Sequence, residues 1–156
     1  MRLYLVQHAE AKSKQEDPAR PLSKQGEKDI RRIAAYLKEH AEIQVKEILH
    51  SGKTRAEQTA QALAEKLAPP RGISKTEGLK ALADVEIWAK RLSLAETDED
   101  TMLVGHLPHL SRLTSRLVYG IEEREMVSFN PGGVLCLVKD EGGSWSVSWM
   151  LIPALV

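Results

Sequence analysis

The chain has 156 residues, of which 42% are apolar and 28% charged. This is the composition of an ordinary folded chain, long enough to bury about 68–70% of its unfolded surface around one core. Lys plus Arg and Asp plus Glu each number 22, so the formal net charge is zero and no global attraction to nucleic acid or an anionic membrane is expected.

The first element is Leu3-Tyr4-Leu5-Val6, four apolar residues running into Gln7-His8-Ala9-Glu10. Such a run reads as a strand buried on both faces, as in parallel sheets, which place ligands just past the carboxyl ends of their strands. Four apolar residues are too few for the core of a signal peptide, and no apolar run approaches the ~20 residues of a membrane helix. The segment 11–21 carries two prolines and no periodicity. Ser23 is a predicted N-cap, followed by a helical stripe of Ile30, Ile33, Ala34 and Leu37.

A second strand is predicted over Val45–Leu49 and a second helix over Arg55–Leu67, with Ala56, Thr59, Ala60, Leu63 and Leu67 on one side. Pro69-Pro70 stops that helix. A short strand is expected near Ile73. Asp84 is placed to cap a helix through Ile87, Trp88, Arg91 and Leu92. The acidic run 96–100 reads as a solvated loop before a third strand, Thr101–Val104, which ends at Gly105-His106. Pro108 suits the start of a helix that turns Leu110, Leu113 and Leu117 to one side.

Beyond that the pattern changes. Val134–Val138 and Ser144–Ile152 read as strands joined by a turn over Asp140–Gly143. In the last strand Trp145, Val147, Trp149 and Leu151 alternate with serines, which predicts one buried face. Strand–helix units followed by a hairpin predict one domain over residues 1–156. Its architecture is a three-layer α/β/α arrangement, with a mostly parallel sheet and an antiparallel edge strand. Cys136, the one cysteine, lies inside an apolar run and is expected to be a buried, inert thiol, consistent with a reducing, cytoplasmic setting.

Three strand ends bear chemistry: Gln7-His8, then His50-Ser51-Gly52-Lys53-Thr54-Arg55, then Gly105-His106. Parallel strands bring their carboxyl ends to one edge, so His8, Arg55 and His106 can converge. Two imidazoles and a guanidinium beside helix N-termini make an anion site. His50 and His109 are expected to be packing or surface residues. Gly52-Lys53-Thr54 resembles the end of a phosphate-binding G-x-x-x-x-G-K-[ST] loop, but the first glycine falls on Glu47, where a negative side chain would oppose phosphate. A metal held by His8, His106 and His109 is set aside, because no carboxylate or cysteine cluster completes the ligand set.

Together these residues resemble a known family. The segments L-Y-L-V-Q-H-A-E-A at 3–11, R-P-L-S-K-Q-G at 20–26, S-G-K-T-R-A-E-Q-T-A at 51–60 and L-V-G-H-L-P-H-L at 103–110 are similar to the histidine phosphatase superfamily. F-N-P-G-G at 129–133 and W-M-L-I-P at 149–153 are similar to its small SixA-type phosphohistidine phosphatases. The resemblance implies a phosphoglycerate mutase-like fold and a metal-independent phosphatase without a cofactor. His8 would be the nucleophile and become transiently phosphorylated. Gln7, Arg55 and His106 would hold the phosphoryl oxygens. The implied partner is a protein carrying phosphohistidine, or a small phosphate ester, with no nucleic acid or membrane involved. A short chain offers little material for a lid over a metabolite, which disfavours a mutase.

The chain departs from the family pattern at Gln7, where Arg is expected. A hydrogen bond to a charged group contributes ~1.5–3 kcal/mol against ~0.5–1.5 for a neutral pair, so the change weakens transition-state stabilisation roughly tenfold. Lys12, Lys14 or Arg20 are candidates to restore the charge. The alternative is a catalytically weak module that binds phosphate or phosphoprotein. Asp84 and Glu10 are the candidate general acids. Phosphohistidine removes the need for one, because its ring, protonated at the remote nitrogen, leaves as neutral imidazole.

Overall fold

The structure, a computed structural model, describes residues 1–95, 99–122 and 126–156. Six strands form one sheet. They are β1 (Arg2–Gln7), β2 (Ile48–His50), β3 (Ile73–Lys75), β4 (Thr101–Gly105), β5 (Val134–Lys139) and β6 (Trp145–Leu151). The order across the sheet is β3-β2-β4-β1-β5-β6. Pairs β3·β2, β2·β4 and β4·β1 are parallel, while β5 runs antiparallel to both β1 and β6. The predicted antiparallel element is therefore β5, one strand in from the edge.

Helices α1 (Lys24–His40) and α2 (Thr54–Leu67) cover one face of the sheet, and α3 (Glu86–Ser93) and α4 (His109–Tyr119) the other. The alternation of β1 explains the sandwich. Tyr4 and Val6 pack under α1 and α2, whereas Leu3 and Leu5 pack under α3 and α4. Ser23 caps α1 by accepting the Gly26 N–H at 3.0 Å. Ile30, Ile33, Ala34 and Leu37 are all buried beneath it, and the larger side chains contribute about 1.5–3 kcal/mol each. The N-cap of α3 is Val85 rather than the expected Asp84; Asp84, one residue earlier, accepts the Glu86 N–H through Oδ1 at 2.9 Å.

Two expectations about strands change. Val45 is buried but lies before the strand, because pairing of β2 with β3 and β4 begins only at Ile48. The alternation expected in the last strand also breaks. A bulge opposite Cys136 and Leu137 pairs them with Trp149 and Val147, leaving Ser148 extra. The extra residue shifts the period by one. Trp145 thus joins the α3/α4 side, Trp149 and Leu151 pack on the α1/α2 side, and Val147 is exposed.

Cys136 is buried, and burial pushes its thiol up to about 11, as befits an inert core residue. Of the acidic run, residues 96–98 lie outside the described residues; Asp100 Oδ1 accepts the Arg2 N–H at 2.6 Å. Among the described residues no helix is long and apolar enough to cross a membrane.

Candidate active site

The topology dictates where the site lies. β1 leads to α1 on one face and β4 leads to α4 on the other, although β1 and β4 are neighbours. The chain thus leaves the two strands in opposite directions and opens a crevice at their carboxyl ends, where α/β sheets bind ligands. His8 follows β1 and His106 follows β4. The His8 N–H donates to the Gly105 carbonyl at 3.1 Å, extending the pairing by one step. The two rings then lie 5.0 Å apart, centroid to centroid, at 57°.

A hydrogen bond fixes the tautomer of His8. Its Nδ1 lies 2.8 Å from the Ala9 carbonyl oxygen, which only accepts, so Nδ1 carries the proton. Nε2 is left with a lone pair, and Arg55 Nε donates to it at 3.1 Å. Burial holds the His8 pKa below the ordinary imidazole value; the bond to Ala9 opposes this, and the charges of Arg55 and Arg20 add to it. The ring is neutral near pH 7, and its Nε2 lone pair accepts from the Arg55 guanidinium.

Arg55 sits in the first turn of α2, and a second connection holds that turn to the loop after β1. Thr59 Oγ1 donates to the Arg55 carbonyl at 2.7 Å and accepts the Ala9 N–H at 3.0 Å. Thr59 is fully buried, and its hydroxyl ties the segment after His8 to the helix bearing Arg55. The apolar stripe of α2 gave Thr59 a packing role, while its hydroxyl adds a polar one that helical periodicity does not reveal.

His106 is held by a residue with no assigned role in the sequence reading. Ser51 Oγ lies 2.6 Å from His106 Nε2, both groups being buried, and Ser51 also accepts the Lys53 N–H at 3.3 Å. Ser51 is part of the S-G-K-T-R segment, and only pairing of β2 with β4 places it against His106. Burial, with the charges of His8, Arg55, Lys53 and His109, drives the His106 pKa down to about 3.

The remaining candidates separate. Gln7, partly buried, ends β1 beside Gly105; its Oε1 is buried without a hydrogen-bond partner among the described residues. Glu10 Oε1 accepts from Ser23 Oγ at 2.5 Å, and the side chain faces a groove of about 390 Å³ shared with Gln25, Arg32 and Asn130. Asp84 is exposed, and its charge is felt at His109. His50 is buried and accepts the Gly52 N–H through Nδ1 at 3.2 Å, as a packing residue does. Among the described residues no three or more His, Cys, Asp or Glu side chains are grouped closely enough to hold a metal ion.

Gly132 closes the crevice wall. Its N–H reaches the Gln7 and His8 carbonyls at 3.1 and 3.3 Å, and its φ of +77° favours glycine. The P-G-G sequence is thus the clamp on the end of β1.

Comparison with known proteins shows what the chain as a whole is similar to. A family profile described as "Histidine phosphatase superfamily (branch 1)" matches residues 3–87. The phosphohistidine phosphatase SixA of Escherichia coli strain K12 is 27% identical over 157 residues, spanning 98% of this chain and 94% of that protein. The solved structure of the protein histidine phosphatase SixA complexed with tungstate is similar at a TM-score of 0.86 and 24% identity, covering 99% of each chain. Phosphoglycerate mutase from Plasmodium falciparum has the same fold, at a TM-score of 0.70 and 20% identity, covering 95% of this chain and 88% of its own.

Proposed function

Because this chain belongs to the histidine phosphatase superfamily, branch 1, we propose that it is a phosphatase that removes the phosphoryl group from phosphohistidine on a partner protein. The observation that carries the reading is the state of His8. Nδ1 donates to the Ala9 carbonyl, and Nε2 presents its lone pair beside Arg55. Phosphoryl transfer asks the protein mainly for a positioned nucleophile and charge stabilisation.

In the first step His8 Nε2 attacks phosphorus and the P–N bond of the substrate breaks. Its electron pair returns to the departing ring, which leaves as neutral imidazole because the remote nitrogen already carries a proton. Neither Glu10 nor Asp84 is then required as an acid. Arg55 and His106 face the phosphoryl oxygens. In the second step water attacks phosphorus, the pair of the His8 Nε2–P bond returns to the ring, and inorganic phosphate leaves. Nδ1 keeps its proton throughout, held by Ala9. The name of the Escherichia coli relative supports phosphohistidine as the substrate class.

A labelled phospho-donor tests the reading. The chain should form an acid-labile phosphoenzyme that is absent in His8→Ala, and turnover should be unchanged by a chelator. If no label and no turnover arise with any phosphohistidine or aryl phosphate, the enzyme reading fails. Gln7 favours a second reading, a catalytically weak module that binds phosphoprotein. Its mark would be retained tungstate or phosphate binding without turnover.

A further inference from the structure

A phosphoryl group reaching His8 brings close to two negative charges. A partly buried site must meet them with cations aimed at the oxygens. Position 7, at the end of β1, offers an uncharged amide. His106 and His8 are both neutral near pH 7, since burial lowers each. Among the described residues in direct contact with His8, Arg55 alone brings a positive charge.

A second guanidinium comes from the loop between β1 and α1. Ala11 and Leu22 form an antiparallel bridge, and the Lys12 N–H donates to the Pro21 carbonyl at 2.8 Å, so the loop closes on itself. Two anchors then locate Arg20. Leu22 N–H donates to Gln58 Oε1 at 2.8 Å, on α2 one turn beyond Arg55. The Arg20 Nε donates to the Lys12 carbonyl at 3.2 Å, four residues beyond His8. The arginine is therefore tethered at once to the segment of the nucleophile and to the helix of Arg55.

Its terminal nitrogens are not spent elsewhere, as Arg20 forms no ion pair with a described carboxylate. Its charge is felt at both His8 and Arg55. Like charges held near each other oppose folding until an anion joins them, and forked donors suit phosphate oxygens. Lys12 and Lys14, the other candidates in the loop, are exposed and carry no such tether.

We propose that Arg20 is a phosphoryl-binding residue of this site and supplies the second positive charge that Gln7 lacks. The proposal rests on the phosphotransfer reading above, but its primary test is binding of inorganic phosphate, which does not need turnover. Arg20→Gln keeps an amide able to donate to the Lys12 carbonyl, while Arg20→Lys keeps the charge. Arg20→Gln should weaken phosphate binding, and lower kcat/KM, by roughly tenfold. Arg20→Lys should retain more of both. Adding Gln7→Arg to Arg20→Gln should recover most of the loss, because it returns a guanidinium to the same anion from the end of β1. Phosphate affinity within twofold of the unaltered chain in Arg20→Gln overturns the proposal. So does a loss that Gln7→Arg leaves untouched in a variant with unchanged thermal unfolding. Absence of a phosphoenzyme in a chain that still binds phosphate through Arg20 would count against the enzyme reading alone.

Discussion

At the scale of single residues, the proposed mechanism makes the activity depend on the protonation of one ring, that of His8. The unfolded imidazole titrates near 6.5, and burial together with Arg55 and Arg20 lowers His8 from there. A lowered pKa keeps Nε2 unprotonated as pH falls through 6.5, so the acid limb of kcat/KM should lie below that value. Arg55→Gln removes a charge that disfavours the imidazolium, and its acid limb should move up in pH. That shift comes in addition to the loss of rate expected from removing the phosphoryl contact proposed for Arg55. A pH–rate profile on both proteins checks the pair. A limb at or above 6.5 in the unaltered chain, or a downward move in the variant, would contradict the assignment.

At the scale of elements, the site depends on two joints between β1's trailing loop and the helices. The first is Thr59, whose hydroxyl bridges Ala9 and Arg55. Thr59→Val preserves shape but strands the buried Ala9 N–H, at a cost of about 1–3 kcal/mol. It should also lower kcat more than it raises KM, since Arg55 loses its fixed place relative to Nε2. Urea unfolding and steady-state kinetics read the two effects separately. The second joint is Gly26 in the first turn of α1. A Cβ there would collide with the Glu10 backbone carbonyl, which has no rotamer in which to escape. Gly26→Ala should therefore destabilise the chain by about 1–3 kcal/mol, as overpacking does. A urea midpoint unchanged by the substitution would show that the close approach is not maintained in solution. This contact gives the glycine of R-P-L-S-K-Q-G a physical reason.

At the scale of the whole molecule, the buried strands and helix stripes were legible because apolar periodicity reports burial directly. β1, β4 and the stripes of α1, α2 and α4 follow it residue by residue. The convergence of His8, Arg55 and His106 was legible because strand ends in a parallel sheet share an edge. Ser51, Thr59 and Arg20 were harder to assign, since each acts through a partner 8 to 55 positions away that only tertiary pairing supplies. The bulge in β6 was hidden because one extra residue leaves local alternation intact. His109 was read as packing, and it is fully buried at the start of α4. Both ring nitrogens lack hydrogen-bond partners among the described residues. Burial, with Arg112, lowers its pKa to about 4 against the opposing charges of Asp84 and Glu122. The folded chain thus keeps this ring neutral where the unfolded chain, titrating near 6.5, takes up a proton. Its contribution to stability is full above about 6.5 and falls as pH drops toward about 4. His109→Leu removes both the titration and the unpaired ring nitrogens from an apolar helix face. It should raise stability at pH 7 by about 1 kcal/mol, and flatten the decline in urea midpoint between pH 6.5 and 4. His8, the proposed nucleophile, and its Ala9 bond are untouched, so phosphoenzyme formation should persist. A steeper decline in the variant, or a loss of stability at pH 7, would mean that His109 has a polar partner in solution.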